Sequence, residues 1–162
     1  MNSSGIVIAV EDPGSEDALW CLQQYFDELS ARFDAGFDPA SSISANSEEL
    51  TPPAGYFLIA HLEEKPIGCG ALKVKDSQIG EIKRMWVSPK CRGSGLGCRL
   101  LEELESQAWR SGLDILRLET NTSLKEAQAM YAKYGYREVD AFNDEPYAHH
   151  WFEKVGLQDF KE

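Results

Sequence analysis

The chain has 162 residues, 43% hydrophobic and 27% charged, which suits one domain with a substantial buried core. No apolar run approaches the roughly 20 residues needed to span a bilayer. Sixteen basic residues against 27 acidic ones give a net charge of −11, which argues against nucleic acid or an anionic membrane surface as partner and favours a cationic small molecule. The first residues, MNSSGIVIAVEDPG, have neither the basic region nor the long apolar core of a signal peptide. Four cysteines without a CxxC pair, and three histidines badly spaced for zinc, read as reduced cytoplasmic thiols and imply no metal.

Ile6 to Val10 reads as a first strand, stopped by Asp12-Pro13-Gly14. Ser15 then caps a helix in which Leu19, Leu22, Phe26, Leu29 and Phe33 form a core stripe. Tyr25, Glu28 and Arg32 make a second stripe beside it, either a substrate wall or an ordinary flank. From Ala35 to Gly55 the periodicity dissolves into Ser, Pro and Ala, with one short helix near Ser47 to Leu50; a lid or binding loop has this pattern.

Tyr56 to Leu62 and Pro66 to Lys75 are strands joined by Glu63-Glu64-Lys65, and a third strand runs from Gln78 to Val87. In the third, simple alternation puts Ile82 and Trp86 on one face with Arg84, and Met85 and Val87 on the other with Glu81 and Lys83. Segregation this poor points to a bulge, which would leave backbone groups available to a ligand.

Next comes Arg92-Gly93-Ser94-Gly95-Leu96-Gly97-Cys98, opening a helix with Leu96, Leu100, Leu101, Leu104 and Ala108 on one face and Gly112 at its end. Glycines before a helix N-terminus let backbone N–H groups approach an anion. A Walker loop is excluded because no Lys-Ser or Lys-Thr follows the glycines. The dinucleotide fingerprint fails because its third glycine would fall at Cys98 or Leu100. Cys91 and Cys98 flank the loop and read as small apolar filler.

Asp114 to Thr120 is a further strand, and Ser123 with Glu126 fits a capping box. The helix it opens carries Leu124, Ala127, Tyr131 and Tyr134 on one face and ends at Gly135. Tyr136 to Phe142 and Tyr147 to Val155 are the last strands, separated by Asn143-Asp144-Glu145-Pro146. Within the last of them His149 and Trp151 share a face and His150 takes the other.

The RxxGxG loop resembles the pyrophosphate loop of the GNAT N-acetyltransferase superfamily, and ETNTSLKEAQAMYAKYGY resembles that family's second signature. The element order agrees over about Tyr56 to Val155. The resemblance implies an α/β (α+β) fold with a mixed, mostly antiparallel sheet of six to seven strands flanked by about four helices. It implies a single acetyltransferase domain over 1–162, with 1–55 a variable substrate-side region and 56–155 the acetyl-CoA-binding core.

By the same resemblance, the backbone of Met85, Trp86 and Val87 meets the pantetheine arm and thioester carbonyl of acetyl-CoA. Arg92, Gly93, Ser94, Gly95, Leu96, Gly97 and Cys98 hold the pyrophosphate, and Asn121 hydrogen-bonds the pantetheine. Tyr131 matches the tyrosine that protonates the departing thiolate. An amine with a pKa near 10 must lose a proton before it attacks, and Glu119 and Glu81 occupy the positions that different relatives use for the base. Either carboxylate, alternatively, is a strand residue paired with Lys83, Arg84 or Arg117.

His149 or Trp151 belongs to the substrate pocket or to the scaffold, and a histidine there is an alternative base. The expected acceptor is a small primary amine, such as an amino acid or an amine-bearing metabolite or antibiotic, acetylated directly in a ternary complex. A protein lysine or N-terminus is the alternative acceptor, and a non-catalytic acyl-CoA sensor is the alternative role. A homodimer through sheet edges or the last strands is compatible with the pattern.

Overall fold

The computed structural model describes residues 5–42 and 45–156; the outer limits of the expected domain, 1–4 and 157–162, and two residues of the expected lid, 43 and 44, lie outside these. The elements run β1 (Ile6–Glu11), α1 (Glu16–Arg32), β2 (Gly55–Leu62), β3 (Lys65–Val74), β4 (Ile79–Val87), α2 (Leu96–Arg110), β5 (Ile115–Thr120), α3 (Lys125–Lys133), β6 (Arg137–Val139) and β7 (His150–Val155). The strands form one sheet in the order β1-β2-β3-β4-β5-β7-β6. All neighbours are antiparallel except β4 and β5. Among the described residues three α-helices stand where about four were expected, with 3-10 turns at Pro39–Ser41, Glu48–Leu50 and Pro89–Cys91. None of these helices is long and apolar enough to cross a membrane.

One face of the sheet packs on α1 and the other on α2 and α3, as the alternation along β2 requires. Phe57 and Ile59 cluster with Ala18 and Cys21 of α1, while Leu58 clusters with Leu101, Leu104 and Ala108 of α2. Ser15 caps α1, its hydroxyl accepting from the Ala18 N–H at 3.1 Å. The buried stripe of α1 is rotated from the expected one. Ala18, Cys21 and Leu29 are buried and Leu19 is 54% exposed, because the small Ala18 and Cys21 let the helix lie close to Ile59 and Cys69. That rotation turns Tyr25, Glu28 and Arg32 towards the sheet's open centre.

The expected bulge is in β4. Cys69 pairs with Trp86 and Ala71 with Lys83, so Gly70 faces two residues, Arg84 and Met85, and Arg84 has φ +58°. The Cys69 thiol donates to the Arg84 carbonyl at 3.2 Å. The extra residue resolves the mixed alternation, since Glu81, Lys83 and Trp86 now share the α1 face and Ile82, Met85 and Val87 the α2 face.

Two expectations about ends are corrected. The capping box at α3 does not form: Leu124 is the N-cap without a side-chain bond, Asn121 Oδ1 accepts from the Ser123 N–H at 2.8 Å, and Glu126 is drawn to Arg32. The last two strands are shorter than read, because 140–149 leaves the ladder to reach the segment after α1. There Ser42 donates to Glu145, and the Asp38 N–H donates to the Tyr147 hydroxyl at 2.8 Å.

Gly68 and Gly70 of β3 lie under α2. A Cβ at Gly70 would sit 2.6 Å from Met85 Sδ and 2.9 Å from Leu104 Cδ1. Gly70→Val is therefore expected to destabilise the fold by about 1–3 kcal/mol through overpacking. Urea unfolding should show a lower midpoint at unchanged slope.

Candidate active site

β4 and β5 stay paired only at Ile79–Ile115, Gly80–Leu116 and Glu81–Arg117. Beyond Glu81, β4 follows β3 to Val87, and β5 follows β7 to Thr120, so the two strands part while each keeps its outer partner. A cleft of about 490 Å³ opens in the gap and continues past the α2 N-terminus and along α1. Because the ladder ends at Glu81, the facing edges of Ile82–Val87 and Glu119–Thr120 border a ligand space instead of each other.

At one end of the cleft stands the glycine loop. Gly93 and Gly95 have φ +84° and +85°, with nothing within 4 Å of an added Cβ. Gly95 is the N-cap of α2, no side chain caps the helix, and its first turn holds no acidic residue. The N–H groups at that end and the positive end of the helix dipole are thus left for an anion, which fits a pyrophosphate. Ser94 turns inward, its hydroxyl donating to the Cys91 carbonyl. Arg92 donates to the Val87 carbonyl and to Glu28.

Glu28 also pairs with Arg32, which reaches Glu126 and the Ser123 carbonyl, so α1 is tied to the glycine loop and to the start of α3. The Arg32 hydrogen bond holds the Glu126 carboxyl below the usual carboxylate range.

At the other end Glu119, Tyr131 and Tyr25 converge from β5, α3 and α1. Glu119 is nine-tenths buried; its Oε1 accepts from Lys83 Nζ at 3.3 Å and Asn143 Nδ2 at 3.4 Å. Its Oε2 is buried with no hydrogen-bond partner. Burial first, and the Glu119 charge second, push the Tyr131 phenol well above its ordinary value of 10. Burial, then the neighbouring Tyr131 and Glu119, do the same to Tyr25. Phe33, Phe37 and Tyr147 form an aromatic wall nearby, with Tyr147 centred 4.7 Å from Phe37 and 5.7 Å from Phe33.

The cleft brings together Tyr25, Glu28, Arg32, Met85, Trp86, Val87, Arg92, Gly93, Gly95, Leu96, Gly97, Cys98, Glu119, Asn121 and Tyr131. Ser94, Glu81, His149 and Trp151 are not in its lining. Glu81 is buried on the α1 face at the last β4–β5 pair. Asn121 spends its side chain on the Tyr147 carbonyl and the Ser123 N–H. His149 Nδ1 accepts from the Thr122 N–H, His150 pairs with Glu138, and Trp151 Nε1 donates to Asn143.

Lys83 was expected only as a pairing partner of a strand carboxylate, and it does pair with Glu119, whereas Asn143 and the Phe33–Phe37–Tyr147 wall were not singled out from the sequence. For Lys83 the signal was present in the mixed alternation of β4. For Asn143, a turn residue 24 positions from Glu119, there was none. The ligand atoms of Glu11, Asp17 and His61 lie within 4.8 Å of one another outside this cleft. There the imidazole lies between the two acids, Nδ1 3.3 Å from Glu11 and Nε2 2.8 Å from Asp17.

The model of the acetyltransferase (GNAT) family matches residues 22–136. The chain belongs to that family. An IAA acetyltransferase from Azospirillum brasilense is 34% identical over 138 residues, 85% of this chain and 88% of that protein. Among solved structures, a GNAT-family acetyltransferase from Staphylococcus aureus Mu50 has the same fold, with a TM-score of 0.78 at 18% identity over 93% of this chain and 98% of the other. One from Elizabethkingia anophelis, solved with acetyl-CoA bound, gives a TM-score of 0.64 at 20% identity over 94% and 97%. The GNAT fold thus accounts for the parted strands and the glycine loop as one arrangement.

Tyr25 and Tyr131, with Tyr136, whose phenol is raised by burial and by its 2.8 Å bond to Glu105, should stay protonated in the folded GNAT domain at about pH 11. A spectrophotometric titration should then show no more than three of the six tyrosines ionising before unfolding. These three phenols leave stability unchanged below about pH 10. They reduce it as pH rises further, because only the unfolded chain then releases their protons.

Proposed function

We propose that this GNAT protein is an acetyl-CoA-dependent N-acetyltransferase that acts on a primary amine of a small molecule, by direct transfer within a ternary complex. The observation that carries the reading is the buried Glu119, its Oε2 without a hydrogen-bond partner, in the lining of the same cleft as the uncapped N-terminus of α2. A buried carboxylate oxygen with no donor is suited to receive a proton.

Bound acetyl-CoA supplies an activated acyl group. The chain's own groups then divide the work. The N–H groups of Gly93 to Cys98 hold the pyrophosphate, and the backbone of Met85 to Val87 lies along the pantetheine, with an N–H there directed at the negative charge that develops on the carbonyl oxygen. Glu119 takes one proton from the incoming ammonium, directly or through a water, and this proton leaves to solvent. The second proton is relayed through Tyr131, whose phenol, kept protonated beforehand by burial, gives its proton to the departing sulfur and takes the one released by the nitrogen. Glu119 is favoured over Glu81 because it faces the cleft, whereas Glu81 does not.

The wall of Phe33, Phe37 and Tyr147, with Tyr25, suits an amine attached to an apolar or aromatic body. We further place this chemistry in a single domain and in the cytoplasm, without a metal.

Release of free thiol from acetyl-CoA across amino acids, aromatic and aliphatic amines, polyamines, aminoglycosides and lysine peptides tests the reading. Turnover is expected with a small amine, and turnover confined to peptides would replace it with a protein acetyltransferase. Glu119→Gln should lower kcat by about a hundredfold or more, and Tyr131→Phe by a similar factor, with little change in the KM for acetyl-CoA. Unchanged kcat in both variants would remove the catalytic assignment.

A further inference from the structure

Trp151 stands directly opposite Glu119 in the β5–β7 pairing, so both side chains emerge on the same face of the sheet. Asn143, from the connection that leaves the ladder after β6, touches both side chains. Its Oδ1 accepts from the Trp151 indole N–H at 2.9 Å and from the Glu145 backbone N–H at 3.2 Å. Both partners can only donate, so the oxygen must be on that side, and the Nδ2 hydrogens must point the other way. They meet Glu119 Oε1 at 3.4 Å. Turning the amide over would set NH₂ against two N–H donors and an oxygen against a carboxylate, which loses all three contacts at once.

Lys83 Nζ donates to the same Oε1 at 3.3 Å from the β4 side. Glu119 is therefore gripped by one oxygen, from two directions, while the other is left without a partner.

We propose that Asn143, oriented by Trp151, is a positioning residue that together with Lys83 dictates which oxygen of Glu119 is held and which faces the acceptor amine. The proposal rests on Glu119 being the base. Neither Asn143 nor Trp151 touches the reacting atoms; they act through the carboxylate. The charged and titratable groups around Glu119 are Lys83 from β4, Tyr25 from α1, Tyr131 from α3 and Glu145 beside Asn143. Among these Lys83 is the cation hydrogen-bonded to it, and Asn143 supplies the second, uncharged donor.

Two variants separate positioning from bulk structure. Asn143→Asp keeps an oxygen for Trp151 and Glu145 but turns a second carboxylate oxygen towards Oε1, and two carboxylates at that range resist ionising together. Trp151→Phe keeps a smaller ring on the sheet and removes the indole N–H, leaving the Glu145 N–H as the one donor to Asn143 Oδ1. The protein is labelled with 13C at the glutamate carboxyl carbon, with Glu119→Gln used to assign the resonance, and titrated without any ligand.

In Asn143→Asp the Glu119 resonance should show a step about one pH unit or more above the wild-type midpoint. With the best amine from the acceptor panel, the acidic limb of kcat/KM should move the same way. Trp151→Phe should lower kcat several-fold while the KM for acetyl-CoA stays within about twofold. A wild-type titration in Asn143→Asp together with wild-type kcat in Trp151→Phe would overturn the proposal. If Asn143→Asp does not fold, Trp151→Phe decides alone. The base reading fails separately, if Glu119→Gln keeps full activity, so the two failures are told apart.

Discussion

Two neighbouring strands that stop pairing after three residues are the constraint on which the rest of this structure depends. A parallel pair that continued to Val87 and Thr120 would close the centre of the sheet with its own hydrogen bonds. Instead the bulge at Arg84 turns β4 away with β3, and β5 stays with β7, so the gap is held open from outside by two antiparallel ladders. Each strand keeps its outer ladder, and only its inner edge is left unpaired. The space obtained has backbone on both walls and the N-terminus of α2 at one end.

Charge is arranged around that gap by position. The mouth is crossed by the pairs Arg92–Glu28, Glu28–Arg32 and Arg32–Glu126, which join the glycine loop, α1 and the start of α3. Partly exposed pairs of this kind contribute at most about 1 kcal/mol each, so they orient the wall without locking it. Deeper in, Lys83 and Glu119 are each about nine-tenths buried, where the loss of one partner would leave an uncompensated charge. The sheet thus places weak pairs where a ligand enters and a desolvated pair where proton transfer is proposed.

Local signals made much of this legible. The apolar face of α2 reads directly as Leu96, Leu100, Leu101, Leu104 and Ala108, all buried, because a helix on a sheet needs one continuous stripe. The bulge in β4 showed as a failed alternation, and the glycines before α2 as a loop open to an anion, which the structure forms with Gly93 and Gly95 at positive φ. The stripe on α1 was misjudged because Leu19 outranks Ala18 in apolarity, whereas the helix approaches the sheet through small residues. Candidate residues on the core strands and on the face of α3 that line the cleft were picked out by motif. Those on the 140–149 connection were not, since what brings Asn143 to Glu119 is the path of a segment without periodicity. Trp151 was offered for the pocket by resemblance and stands outside its lining, and its partner depended on where that connection returned.

A crystal structure of the protein with coenzyme A tests the central claim most directly. The account predicts pantetheine lying between β4 and β5 along Met85 to Val87, the pyrophosphate against the N–H groups of Gly93 to Cys98, and the thiol beside the Tyr131 hydroxyl with Glu119 Oε2 on the acceptor side. Coenzyme bound outside the gap, or a thiol remote from both Tyr131 and Glu119, would contradict it.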